Sequence, residues 1–277
     1  MNEKPLLIDL NDYEYTGEGA NGCSYDYKKD PTVMLKMYSR NFEAAERELA
    51  LARKVYAAGI PTPEPGDLVT DGTRMGIRFK RIVGKKSYSR AVGDHPEQTE
   101  TLAAEFAAMC KKLHGTHLDK TQFTDVKAHY LRLLADNPFF DDRQKAKLRD
   151  FIVSAPDTDT AIHGDLQFSN GIFADGKQYF IDLGDFCYGY SMFDLGMVYA
   201  TCKINEEEFT KWTFHMDQKT ASRFWDAFAP AYFGADADLK EIESEVRIYA
   251  GLKTLIVERD THRPMENFRA LLEGTVY

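Results

Sequence analysis

The stretch IHGDLQFSNGIFADGKQYFIDLGD, residues 162–185, gathers His163, Asp165, Asn170, Asp182 and Asp185 between apolar runs. Two explanations compete. Either it is a solvated hairpin carrying ordinary surface charge, or its carboxylates and amide serve a metal and a phosphate. GIFAD and QYFIDLG read as two short strands, with Asp175–Gly176 as the turn between them. Such a hairpin would carry the chain away from Asn170 and return it at Asp182, twelve residues on.

Upstream, the first part of the chain reads as β-rich. LLIDLNDYEYTGEGANGCSYDYKKDPTVMLKMYS holds strand-like runs around a loop with Gly17, Gly19 and Gly22, then the apolar run VMLKMY interrupted by Lys36. NFEAAERELALARKVYAAG has helical spacing at Leu49, Ala52 and Tyr56 and stops at Gly59 before Pro61 and Pro63. A strand pair follows, turning at Asp71–Gly72 and returning as MGIRFKRIVG. After Gly84 the pattern becomes helical: Leu102, Phe106, Met109 and Leu113 form one stripe, and residues 122–153 are helical with a break at Asn137–Pro138. From about residue 191 onward the pattern is helical again. The expected organisation is α+β and bilobal. A small β-rich lobe over residues 1–83 precedes a larger, mainly helical lobe over 84–277, with a hinge in RIVGKK and a ligand held between lobes.

Bulk properties narrow the class. The 277 residues are 43% hydrophobic and 29% charged, enough apolar material for a sizeable core. No apolar run approaches the roughly 20 residues of a membrane span. The start, MNEKPLLIDLNDYEY, has an early acid and no long apolar core, which argues against a secretory signal. A net charge of −9 without a dense Lys/Arg block argues against nucleic acid and would suit a cationic small substrate. Cys23, Cys110, Cys187 and Cys202 lie far apart with no CxxC, so reduced thiols in a cytoplasmic setting are expected. The HxxH of His114 and His117 reads as helix-end polarity.

The opening segment fits one chemistry closely. Phosphoryl transfer needs a carboxylate aimed at the acceptor hydroxyl, groups that hold Mg²⁺ against the phosphates, and a cation on the phosphate oxygens. Mg²⁺ is a hard ion that takes few carboxylates and keeps waters. Residues His163 to Asn170 follow the form H-x-D-L-x-x-x-N of a kinase catalytic loop, with Gly164 where protein kinases carry Arg, and Asp182 stands where a DFG-type ligand belongs.

HGDLQFSN, FIDLGD and SMFDLGMVYA together resemble the aminoglycoside phosphotransferase and choline kinase-like family, the small-molecule branch of the protein-kinase-like fold. The resemblance implies that Asp165 is the catalytic base, that Asn170 and Asp182 hold Mg²⁺, that His163 braces the loop, and that Asp194 stabilises it. ATP is the implied phosphoryl donor and a small hydroxylated molecule the implied acceptor. An amino sugar, an amino alcohol such as choline, or another metabolite would qualify. Gly171 departs from the apolar residue expected after Asn170.

The first lobe supplies the remaining parts. Lys36 would steady the α- and β-phosphates, because an ammonium inside an apolar strand needs a partner. Glu43, Glu46 and Glu48 are the available partners. The family pattern places the glutamate 13 residues before the first Pro of a GxPxP-like turn, which selects Glu48 ahead of Pro61, with Glu46 next. Gly19 and Gly22, in EGANGCSY, would let backbone amides approach phosphate. The backbone of RFKRIVG, Arg81 and Val83 included, would read the base edge. Asp185 stays open between metal, substrate and structure. Trp212, Phe214, Trp225, Tyr232 and Phe233 read as helix core, with an aromatic cage for a quaternary amine as the alternative. Two other readings have recognisable marks. A pseudoenzyme scaffold would lack a lysine, base or metal position. A protein-directed kinase would carry a long activation segment, for which DFCYGYSMFDLG leaves little room.

Overall fold

The computed structural model describes residues 4–19, 22–38 and 42–277. In chain order the strands are β1 (Leu6–Leu7), β2 (Tyr13–Gly19), β3 (Gly22–Tyr27), β4 (Val33–Tyr38), β5 (Pro65–Thr70), β6 (Met75–Lys80), β7 (Lys86–Ser87), β8 (Ala161–Ile162), β9 (Gly171–Ala174), β10 (Lys177–Phe180) and β11 (Cys187–Tyr188). The helices are α1 (Phe42–Ala57), α2 (Tyr88–Asp94), α3 (Thr99–His114), α4 (Val126–Asp136), α5 (Asp142–Ser154), α6 (Met192–Tyr199), α7 (Glu207–Phe214), α8 (Gln218–Phe233), α9 (Leu239–Gly251), α10 (Lys253–Thr261) and α11 (Glu266–Arg269). They form two compact units that are not consecutive in sequence. Met1–Lys86 groups with Ile172–Gly184, and Ser87–Gly171 with Asp185–Tyr277.

The first unit is built on a six-stranded sheet of order β1-β5-β6-β4-β3-β2, antiparallel except for β1 beside β5. Strand alternation divides VMLKMY between two faces. Leu35 and Met37 join Tyr13 and Val69 on one face, while Tyr38 packs with Ala45 and Leu49 of α1 on the other. Lys36 has the parity of Tyr38 and so faces the helix side. On either side of the expected glycine loop the strands pair. β2 and β3 pair as far as Gly19 opposite Gly22, and Ala20 and Asn21 lie outside the described residues. A Cβ on Gly22 would run into the Met37 carbonyl, so β3 and β4 approach there only because the position is glycine. The expected turn at Asp71–Gly72 also forms: the Asp71 carboxylate accepts the amides of Thr73 and Arg74 at 2.9 and 2.7 Å. β9 and β10 turn through Asp175 and Gly176, whose φ values of 48° and 72° suit a two-residue hairpin.

The second unit is helical around an aromatic core. Phe106 of α3 meets Phe224 and Phe228 of α8 at 5.9 Å between ring centroids, and Phe168 stacks near Phe214 and Phe224 at 4.9 and 5.0 Å. Local signals start its helices. The Asp125, Asp141, Asp217 and Asp238 side chains each cap a first turn, Asp141 in a capping box with Gln144. α6 runs on into a π-helical turn, Ala200–Ile204. Asn137 and Pro138 fall between α4 and α5, where the break was expected. In the C-terminal LLEGTVY, Leu272 is fully buried against Gly251 while Glu273, Gly274 and Thr275 are exposed. Among the described residues no helix is long and apolar enough to cross a membrane.

Candidate active site

In the first unit Lys36 reaches two carboxylates. Its ammonium lies 2.8 Å from Glu48 and 3.1 Å from Asp182, with the Tyr38 ring centroid at 5.2 Å. Burial works to lower the Lys36 pKa; the nearby charges of Asp182 and Glu48 outweigh it and hold the group above its ordinary value. Of the three glutamates considered, Glu48 is paired with Lys36; the Glu43 side chain lies outside the described residues. Asp182 sits two residues beyond the end of β10 with φ at +61°, a conformation costly for a residue with a Cβ. Strain of that kind points to a positional requirement. Arg81 pairs with Asp26 at 2.6 Å and its amide bonds the Thr32 carbonyl, while Val83 is exposed.

In the second unit the segment from Gly164 to Asn170 alternates strictly between buried and half-buried positions. Leu166 and Phe168 are fully buried, and Asp165, Gln167 and Ser169 are half-buried between them. The apolar residues anchor the loop in the aromatic core and leave the polar ones to converge. Gln167 donates to the Asp165 carboxylate at 3.2 Å, and the Asp165 amide donates to His163 Nδ1 at 3.3 Å. Asn170 Nδ2 donates to the Asp165 carbonyl at 2.9 Å. That bond fixes the amide and leaves Oδ1 as the atom able to take a cation.

The loop is held from beneath by a fully buried carboxylate. Asp194 accepts the amides of His163 at 2.7 Å and Gly164 at 2.9 Å, and His114 Nε2 stands 3.1 Å from the same group. His114 Nδ1 in turn meets the Tyr232 hydroxyl at 2.7 Å. His114 is therefore a buried brace, not helix-end polarity. The sequence did carry a signal for it, since positions 106, 110 and 114 share the buried face of α3. His117 is exposed and pairs with Asp159.

Two glycines are explained by contacts. Gly164 has φ at +87° and a Cβ there would enter the Asp185 carbonyl, so an Arg-like residue does not fit. A Cβ on Gly171 would lie 2.7 Å from Phe106 and 3.1 Å from Tyr88, so these rings occupy the space expected for an apolar side chain after Asn170. Asp185 faces Arg259 at 3.6 Å and His129 at 3.8 Å. Of the aromatic residues weighed as a cage, Phe214 and Trp225 are core and Trp212 is 81% exposed. All four cysteines are free, and burial pushes the Cys110, Cys187 and Cys202 thiols up.

A paired sheet lysine, a DLG aspartate and an HGD loop braced by a buried aspartate together define the class: a protein-kinase-like phosphotransferase fold. The chain belongs to the phosphotransferase enzyme family, whose family model matches residues 26–233. No curated protein sequence matches it. Solved structures share the fold at low identity. A choline/ethanolamine kinase family protein from Mesorhizobium loti is 18% identical with a TM-score of 0.55, covering 94% of this chain and 88% of that one. Aminoglycoside phosphotransferase APH(4)-Ia is 15% identical with a TM-score of 0.61, covering 96% and 94%. The amicoumacin kinase hAmiN is 13% identical with a TM-score of 0.56, covering 97% and 87%.

Proposed function

We propose that the protein is an ATP-dependent kinase that phosphorylates a hydroxyl of a small acceptor. The observation that carries this is the Lys36–Glu48 pair with Asp182 at 3.1 Å, the arrangement that positions a cation for nucleotide phosphates. Family membership and relatives described as complexes with AMP-PNP support it.

In this reading Lys36 steadies the α- and β-phosphates, with Glu48 fixing its rotamer. The backbone at Gly19 and Gly22 approaches phosphate, and the backbone around Arg81 and Val83 meets the base. Asp165 orients the acceptor hydroxyl and takes its proton as the acceptor oxygen bonds the terminal phosphorus and the bond to ADP breaks. Gln167 holds Asp165 in place. Asn170 Oδ1 and the Asp182 carboxylate are hard oxygen donors that suit Mg²⁺. Among the described residues no cluster of three or more His, Cys, Asp or Glu side chains competes for it. The metal, when bound, neutralises charge on the phosphate oxygens. The cytoplasmic setting remains part of this reading.

The test is ADP release from Mg-ATP against hydroxylated acceptors: aminoglycosides, choline, ethanolamine, sugar alcohols and hydroxy acids. Acceptor-dependent release that falls by at least about 10³-fold in Asp165→Asn is expected. Nucleotide turnover that is indifferent to that substitution would remove the assignment.

A further inference from the structure

Tyr38 stands two positions past Lys36 on β4, so both side chains rise from the helix-facing side of the sheet. Its ring packs among Ala45 and Leu49 of α1 and Met75 and Ile77 of β6. Ala45 and Leu49 share a face of α1 with Glu48, which brings the ring beside the glutamate that holds Lys36. The Lys36 ammonium lies over the ring, 5.2 Å from its centroid.

The ring is therefore well placed, but its hydroxyl is not satisfied. Tyr38 is 4% exposed, and among the described residues its buried hydroxyl has no hydrogen-bond partner. Burial, then the charges of Glu48 and Asp182, push the phenol well above its ordinary pKa, so it keeps its proton. A buried donor without an acceptor costs stability, and a phenylalanine would fill the same space without that cost.

Lys36 has three hydrogens to donate, and in this structure it faces Glu48 at 2.8 Å and Asp182 at 3.1 Å. In the kinase reading Lys36 turns toward phosphate oxygens and Asp182 toward magnesium. The Glu48 side chain, 17% exposed, then gives up part of the donor that satisfies it. We propose that Tyr38 is a positioning residue whose hydroxyl donates to Glu48 when the nucleotide draws Lys36 toward phosphate. The new bond holds the glutamate, and the glutamate and the ring together hold Lys36. The inference rests on the kinase reading and adds a residue to its nucleotide site.

Tyr38→Phe removes the hydroxyl and keeps the ring. The full-length protein is isotopically labelled at tyrosine Cζ, and the Tyr38 signal is assigned by its loss in that variant. Titration with Mg-AMP-PNP should move the signal saturably, as the phenol gains a charged acceptor. Without nucleotide, Tyr38→Phe should melt within about 2 °C of the wild type or above it. By calorimetry it should bind Mg-AMP-PNP about three- to tenfold more weakly. Tyr277→Phe removes another buried, unpartnered hydroxyl, in the second unit, and should change the affinity by less than about twofold. A Tyr38 signal that stays still while the wild type binds nucleotide overturns the proposal and leaves the kinase reading standing. So does equal affinity in Tyr38→Phe, or an equal loss in Tyr277→Phe. A fall of more than about 5 °C in unliganded Tyr38→Phe would make the hydroxyl a structural support and also overturns it. A wild type that binds no Mg-AMP-PNP sinks the kinase reading, and this inference with it.

Discussion

The Asp194 carboxylate receives the His163 amide at 2.7 Å across thirty-one residues of sequence. With Gly164 and His114 on the same group, a fully buried charge is satisfied entirely by donors from the loop it supports and from α3. Removing it strands two buried amides and an imidazole together. Asp194→Ala should lower stability by about 3 kcal/mol. Chemical denaturation reads that loss. ADP release, normalised to folded protein, should fall further than Ser191→Ala, a neighbouring control.

Glu258 is the other buried carboxylate with a full set of donors: Asn137 at 2.7 Å, Arg269 at 2.6 and 3.0 Å, and the Met265 amide at 2.9 Å. Burial alone would raise its pKa, but these bonds overcome it and hold the group low. Glu258→Ala leaves Arg269 buried and unpaired and should cost about 3–5 kcal/mol. Urea midpoints of the two proteins measure this. A loss under about 1 kcal/mol would mean the C-terminal segment is held by packing alone.

His129 should make the protein acid-sensitive. Burial lowers its pKa below 6.5, against the Asp185 charge, with Arg132 and Arg259 adding to the depression. Arg132 donates to Nδ1 at 3.2 Å, so Nε2 carries the proton and faces Asp185. The unfolded chain then binds the extra proton first, and stability falls as pH drops from 6.5 towards the folded value. Urea midpoints at pH 7.5 and 5.5 should drop more for the wild type than for His129→Gln. Equal slopes would place the acid sensitivity elsewhere.

Gly171 tests the packing account of the loop. A methyl group there meets the Phe106 ring at 2.7 Å. Gly171→Ala should cost about 1–3 kcal/mol by overpacking, despite the usual gain from replacing glycine. Gly171→Ala combined with Phe106→Leu should recover part of the loss.

Much of this was legible in the sequence because the informative residues lie close together. HGDLQFSN and FIDLGD fix a loop, a hairpin and the position of Asp182 beyond it within two dozen positions. Lys36 and Glu48 are likewise separated by one strand–helix step. The strand alternation that sends Lys36 toward α1 needs only period two. What stayed hidden depends on distant packing. The link between His114 and Asp194 spans eighty residues, and neither side chain carries a local signal of the other. Gly171 looked like a departure because the rings that require it, Phe106 and Tyr88, come from α3 and α2.

The most direct test is a calorimetric titration of Mg-ATP into the wild type, Lys36→Met and Asp182→Asn, with and without magnesium. The account predicts saturable binding that requires magnesium and weakens at least about tenfold in each variant, a change of about 1.4 kcal/mol. Wild-type protein that binds no nucleotide, or binds it equally well after both substitutions, would contradict it.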